Sequence, residues 1–376
     1  MKKVIEGSHA VAEAVRLCAP KVIAAYPITP QTHIVERLSK MVADGELDSE
    51  FLCVESEHSA MSACIGAQAT GVRTYTATAS QGLILMHEML HVASGMRLPI
   101  VMNVANRSVS SPLSIWNDWL DAMAVRNSGW VQLFVESSQE ALDTTIQAYK
   151  IAETIHLPVM VCIDGFYLSH TYEPVDIPDT VAGYLGDYKP KVVLDPKNPI
   201  TQGMMAGPKA FQEFKEQQHR ALLSAKDVIK NENSEFNKKF SRIYGDGLVE
   251  TYNMESADYA IISMGSVCGT IKHILDEKKI SDIGLIRIKT YRPFPNKEII
   301  DLTKNLKALG VLEKDISFGI GGALWADVKT FVDKPVSNFI GGLGGRDIQI
   351  EDIVKIFETI RKEEENIHWV GSQLKK

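Results

Sequence analysis

Apolar positions along this chain fall into two rhythms. In the first 165 or so residues, short β-branched runs closed by Pro, Gly, Ser or Asp read as strands: KVIAAYP, EFLCVES, RTYTATAS, PIVMNVAN, WVQLFVES and LPVMVCID. Between them lie stretches with helical spacing: THIVERLSKMVA, HSAMSACIGAQA, LILMHEMLHVAS and SQEALDTTIQAYKIAETI. A helix also precedes the first of these runs. Its Ala10, Val11, Ala14, Val15 and Cys18 share one face, with Ser8 as the expected cap. Strand–helix alternation of this kind predicts a doubly wound parallel sheet with helices on both faces.

From about Tyr167 the rhythm is lost. TYEPVDIPD and YKPKVVLDPKNPITQG are rich in proline and predict an extended surface wrap. A charged helix with one buried stripe follows, EFKEQQHRALLSAKDVIKNENSEFNKKFSRIYG. A second strand–helix series then runs through DYAIISMGSVCGTIKHIL, IGLIRIKTYRPFP (read as a strand ending in a turn), ALGVLEKD, GALWADVKTFV, SNFIGGLGG and IEDIVKIFETIRKEEE. The expected division is residues 1–245 and a smaller α/β domain at 246–376.

Composition narrows the function. At 376 residues, 45 % hydrophobic and 23 % charged, the chain is expected to fold as a globular protein. A net charge of −7 argues against a general nucleic-acid binder, which needs a basic face. The five cysteines form no C-x-x-C pair and read as small buried hydrophobes, with no iron–sulfur or zinc-ribbon site on this chain. The opening MKKVIEGSHA has no apolar run behind its lysines, and no stretch reaches the roughly 18 apolar residues of a membrane span. The expected location is the cytoplasm.

Two motifs invite chemistry and lose it on inspection. His87-Glu88-Met89-Leu90-His91 matches the H-E-x-x-H of zinc peptidases, but no third ligand stands out downstream and apolar neighbours suggest an interior helix. Gly245-Asp246-Gly247 resembles a magnesium–pyrophosphate motif without the Asn that should follow, so a turn is the expected role. The glycines of Gly341–Gly345 and of IGG at 320–322 lack the G-x-G-x-x-G spacing and read as tight turns.

Three segments at predicted strand ends carry more. Such carboxyl ends are where open α/β sheets bind ligands. In Tyr26-Pro27-Ile28-Thr29-Pro30 two prolines constrain the backbone around Thr29. Glu55 and Glu57 precede a small-residue helix, where a carboxylate either favours the helix dipole or does chemistry. Arg107 emerges after PIVMNVAN, suited to gripping a carboxylate or to plain solvation.

Taken together, AYPITPQT, VESEHSAM, TATASQGLILMHEML, SGMRLPIVMNVANR, PLSIWNDW, SGWVQLFVESSQEALD, LPVMVCIDGF, YRPFP and FIGGLGGRDI resemble, in order, the alpha subunits of the 2-oxoacid:ferredoxin oxidoreductases, most closely the pyruvate:ferredoxin (pyruvate synthase) group. The resemblance spans about residues 6 to 355. It implies a pyrimidine-type thiamine-diphosphate-binding domain followed by a transketolase C-terminal-like domain. It implies that Glu57, with Glu55 as competitor, protonates the cofactor's aminopyrimidine, that Pro27 and Ile28 line the cofactor, and that Thr29 and Arg107 contact the 2-oxo acid. It further implies a beta subunit sharing the cofactor and holding Mg2+ and a 4Fe-4S cluster, gamma and delta partners with further clusters on delta, and electron transfer to ferredoxin with coenzyme A taking the acetyl group. The alternatives are a 2-oxoisovalerate or other 2-oxo acid enzyme, a non-catalytic assembly subunit, and the zinc peptidase.

Overall fold

The computed structural model describes residues 1–374. Its larger sheet has seven strands in the order Thr290–Arg292, Val131–Phe134, Val159–Asp164, Val101–Asn106, Thr74–Thr78, Val22–Ala25, Glu50–Cys53. Six of these are the strands expected from the N-terminal runs, and they pair in parallel. Alternate side chains serve opposite faces, as strand geometry requires. Ile23 and Ala25 join one core with Val15, Leu38 and Ile146. Ala24, Met102 and Val104 join another with Leu83, Trp119 and Phe134.

The smaller sheet has six strands: Ile367–Trp369, Val336–Ile340, Ala308–Glu313, Tyr259–Ser263, Ile283–Ile288 and an antiparallel Val249–Tyr252 at the edge. The core behind Met102 and Val104 continues into Ile261, Met264, Leu285 and Tyr291, so the two sheets share buried apolar surface. The long charged helix Phe211–Phe240 packs on the helix Ser138–Ile155, and its buried Ala225, Ile229, Asn233 and Phe236 form a single stripe. The Gly245-Asp246-Gly247 segment then turns. Asp246 Oδ1 accepts from the backbone N–H of Leu248 and Val249, both at 2.8 Å, and both glycines have positive φ.

Several local expectations are corrected. IGLIRIKTYRPFP does not form one strand. Ile283–Ile288 stays in the smaller sheet, while Thr290–Arg292 crosses to the edge of the larger one and pairs antiparallel with Val131–Phe134. Charge explains the crossing, because Arg287 and Lys289 find their counter-ion, Glu140, on the other unit. LILMHEMLHVAS breaks at Met86 into Ser80–Leu85 and His87–Gly95. Ser8 does not cap the first helix; Glu6 occupies that position and the Ser8 N–H donates to the carbonyl of Ser169 at 2.9 Å. Cys53 is exposed while the other four cysteines are buried, because its strand is the open edge of the sheet. The proline-rich wrap contains a strand, Tyr172–Asp176, paired antiparallel with Lys2–Glu6.

The two units are joined by a buried ion network. Glu140 takes a hydrogen bond from Arg287 and another from Lys289 Nζ at 2.7 Å, and all three side chains are at most 2 % exposed. Arg287 also reaches Glu250 at 2.7 Å and Glu136 at 3.2 Å, and Lys272 bridges the same two carboxylates. Burial opposes charge on Glu140, but Arg287 and Lys289 outweigh it and hold its carboxyl at about 2. A depressed carboxyl stabilises the fold fully above its unfolded value of about 4.5, and that contribution is lost as pH falls toward 2. Glu140→Gln, which strands two buried cations, should therefore cost about 3–5 kcal/mol at neutral pH. Denaturant titrations at pH 7 and pH 3 should show the gap between variant and parent narrowing at the lower pH.

Candidate functional site

The larger sheet reverses its winding beside Val22–Ala25. The chain first adds Glu50–Cys53 on one side and then crosses back to Thr74–Thr78 on the other. A reversal of this kind opens a crevice at the carboxyl ends of the strands. The predicted segments Tyr26–Pro30 and Glu55–Glu57 emerge at that edge from neighbouring strands, and Arg107 emerges from Val101–Asn106, with Thr74–Thr78 lying between it and Val22–Ala25.

Glu57 opens the helix Glu57–Ala69, which is capped by Ser56 accepting from the Ser59 N–H at 3.2 Å. Its side chain is buried, and among the described residues it has neither a hydrogen-bond partner nor a counter-ion. Gly82 makes room for it: a Cβ there would lie 2.5 Å from Glu57 Oε1 and 2.5 Å from Thr78 Oγ1. The Thr78 hydroxyl is itself buried and has no hydrogen-bond partner among the described residues. Glu55 differs in every respect. It is exposed, and a hydrogen bond from Ser59 Oγ at 2.5 Å pulls its pKa down. Of the two candidate carboxylates, only Glu57 is both buried and unanswered.

Arg107 is the complementary case. It is 7 % exposed and burial lowers its pKa, yet no carboxylate lies within ion-pairing distance of its guanidinium among the described residues. Its Nη1 donates to the Thr29 carbonyl at 2.8 Å and its Nε to the Ser114 carbonyl at 3.0 Å. The Thr29 side chain is exposed at the mouth, as is Pro27, and Ile28 is half-buried. Arg107 and Thr29 are thus in direct contact, whereas Glu57 stands against Gly82 and Thr78.

Two residues that organise this edge escaped the sequence reading. Gln31 is fully buried, accepts from the Ile28 N–H at 3.3 Å and donates to the Ala77 carbonyl at 2.6 Å, so it pins the proline turn to the neighbouring strand. Asp121 is fully buried and accepts from four donors: the N–H groups of Ser80, Arg107 and Ala122, and Asn106 Nδ2, at 2.7–3.0 Å. Burial nonetheless pushes its pKa up to about 7. It ties the strand end at Ser80 to the one at Arg107. Only the motif PLSIWNDW, just upstream, hinted at this region. His87, Glu88 and His91, by contrast, are exposed rather than interior. Among the described residues no three His, Cys, Asp or Glu side chains are grouped to hold a metal.

The unpaired Glu57 carboxylate and the space beside it at Gly82 suit a ring nitrogen of a heteroaromatic cofactor, which fits the thiamine diphosphate implied by the sequence. Gly82→Ala should displace Glu57 and lower turnover by about tenfold or more with little change in melting temperature, since only side chains must move. Asp121→Asn keeps the size but turns an amide N–H toward backbone donors, so it should cost about 1–3 kcal/mol in thermal or denaturant unfolding.

Comparison with known proteins identifies the family. Residues 13–234 match the family model described as pyruvate flavodoxin/ferredoxin oxidoreductase, thiamine diphosphate-binding, and residues 257–353 match pyruvate:ferredoxin oxidoreductase core domain II. The chain is 55 % identical to pyruvate synthase subunit PorA of Methanocaldococcus jannaschii, covering 98 % of this chain and 97 % of that protein. It is 48 % identical to the PorA subunit of Pyrococcus furiosus (99 % and 98 % covered) and 43 % identical to ketoisovalerate oxidoreductase subunit VorA of Pyrococcus horikoshii (96 % and 94 %). In fold it is similar to a 2-oxoglutarate:ferredoxin oxidoreductase from Magnetococcus marinus, with TM-score 0.73 and 20 % identity; the match covers 95 % of this chain and 65 % of that one. A split-gene transketolase follows at TM-score 0.57 and 10 % identity, with 96 % and 100 % covered. No helix among the described residues is long and apolar enough to cross a membrane. With both family models matched in order and relatives alike over nearly their whole length, the chain belongs to the pyruvate:ferredoxin oxidoreductase family, as an alpha-type subunit with a thiamine-diphosphate-binding fold and a transketolase C-terminal-like unit.

Proposed function

We propose that this chain is the alpha subunit of a cytoplasmic pyruvate:ferredoxin oxidoreductase (pyruvate synthase), acting with beta, gamma and delta partners. The reaction converts pyruvate and coenzyme A to acetyl-CoA and carbon dioxide, passes two electrons to ferredoxin, and is reversible. The carrying observation is that the Glu57 carboxyl and the Arg107 guanidinium are both buried at the carboxyl end of one sheet, and that among the described residues neither has an oppositely charged side chain within ion-pairing distance. Each calls for a ligand group of opposite character.

Residues 1–245 hold the site and 246–376 buttress it. Bound thiamine diphosphate supplies a thiazolium electron sink for decarboxylation. Glu57 holds a proton against a ring nitrogen of the aminopyrimidine, in a pocket that Gly82 keeps open and Pro27 and Ile28 border. Arg107 grips the carboxylate that departs as carbon dioxide, and Thr29 offers its hydroxyl to the 2-oxo acid. Mg2+, the diphosphate and the 4Fe-4S clusters fall to the partners. Exposed Tyr26, Leu52, Leu85, Leu113, Ile115 and Trp116 supply apolar surface on the strand-end segments for a covering subunit.

Pyruvate is supported by the names of the most alike relatives and by a small neutral Thr29 where a cation would suit a dicarboxylate. The ketoisovalerate relative at 43 % identity keeps 2-oxoisovalerate as the second reading. Viologen reduction by the assembled complex, with coenzyme A and each of pyruvate, 2-oxoisovalerate, 2-oxoglutarate and oxalate, should give the highest kcat/KM for pyruvate. A preference for 2-oxoisovalerate would move the chain to that branch. Glu57→Gln should lower kcat by about 100-fold or more; full activity in that variant would leave the chain an assembly subunit.

A further inference from the structure

Arg107 Nε donates to the Ser114 carbonyl of its own loop, and that loop is gripped by the C-terminal unit. Lys314 follows the strand Ala308–Glu313 and is 7 % exposed. Its Nζ donates to Asn117 Oδ1 at 3.1 Å and to Asp164 Oδ2 at 3.0 Å, while its carbonyl accepts from the Trp119 N–H at 2.8 Å. Two glycines add to the hold. The Gly345 N–H donates to the Asn117 carbonyl at 2.7 Å and the Gly344 N–H to Asp118 Oδ2 at 3.1 Å.

Asn117 passes the hold on. Its Nδ2 donates to the Asn106 carbonyl at 3.1 Å, the peptide group directly before Arg107. The intervening loop closes on itself, with the Ser108 N–H and hydroxyl both donating to the Trp116 carbonyl at 3.0 Å and Arg107 Nε reaching the Ser114 carbonyl. We propose that Lys314 and the Gly344–Gly345 turn are positioning residues for Arg107, through which the C-terminal unit sets how tightly the carboxylate of the 2-oxo acid is held. This rests on the reading of Arg107 as that carboxylate's partner.

The chemistry of the contact distinguishes it from plain adhesion. The units already share an apolar core and the Glu140–Arg287–Lys289 network, so another buried lysine is an expensive way to add cohesion. The turn is also built for close approach. Gly344 and Gly345 have φ of 62° and 74°, and any side chain on Gly345 would strike Trp116.

A double-mutant cycle in the assembled, cofactor-loaded complex tests the link. Lys314→Met and Gly345→Ala should each raise KM for the 2-oxo acid about tenfold while changing kcat far less, and Lys314→Arg should restore most of the affinity. In an Arg107→Lys background the same changes should add less than about twofold, because their effect runs through the missing guanidinium. Should Lys314→Met fail to assemble, Gly345→Ala and Lys314→Arg carry the comparison. Unchanged KM in the Lys314 and Gly345 variants, or effects that multiply fully with Arg107→Lys, would overturn the proposal alone. An Arg107→Lys complex with parental KM would overturn the carboxylate reading and this proposal with it.

Discussion

A charge taken out of water must be answered by another group or it costs several kcal/mol, and this chain buries many charges. Most are answered. Glu140 has two cations, Asp164 has Lys314 together with the Trp119 and Ser266 donors, and Asp121 has four hydrogen bonds. These pairings do more than offset desolvation. They determine which segments touch, because each partner sits on a different strand end or in a different unit. The crossing of Thr290–Arg292 into the larger sheet follows from Arg287 and Lys289 reaching Glu140, and the backbone completes the join where the Phe134 N–H donates to the Lys289 carbonyl at 2.7 Å.

Against that background Glu57 stands out by having no partner among the described residues, and Arg107 by having only two backbone carbonyls and no carboxylate within ion-pairing distance. Folding alone gives no reason to keep either buried, since an apolar residue of similar volume would fill each place at less cost. Both lie at the carboxyl end of the larger sheet, and the strand ends around them are tied together by the hydrogen bonds of Asp121, Gln31 and Asn117. Asp121, Gln31 and Asn117 form the hydrogen-bonded shell of this edge, and Glu57 and Arg107 are the two groups proposed to meet ligands there.

Periodic features were legible in the sequence and non-periodic ones were not. Thr32–Ala43 and Ser138–Ile155 match the segments read from apolar spacing, and the six parallel strands follow from β-branched runs with turn residues at their ends. Thr290–Arg292 was missed because three residues carry no period and its pairing depends on a counter-ion about 150 positions upstream. Cys53 was misjudged because composition cannot tell an edge strand from a central one. Thr29, Glu57 and Arg107 could be singled out, since strand ends are visible in the pattern. Gln31 and Asp121 could not, because a buried polar side chain reads like a solvated one until its partners are known.

The smaller sheet offers a control on how Glu57 should be understood. Glu313 ends a parallel strand and points at the start of a helix, and like Glu57 it faces a glycine, Gly322, at which a Cβ would collide with its carboxylate. Yet Glu313 accepts from the N–H groups of Leu324 and Trp325 and from Asn338 Nδ2, at 2.6–3.1 Å, while burial and the neighbouring Asp315 push its carboxyl up. It is a closed structural site, saturated by its own helix. Glu57 opens a helix instead of ending a strand, faces its glycine in the same way, and has no such partners among the described residues. A strand-to-helix connection and an opposing glycine together make a carboxylate niche. Whether the niche closes on itself or waits for a ligand depends on whether backbone donors turn inward, and at Glu57 they do not.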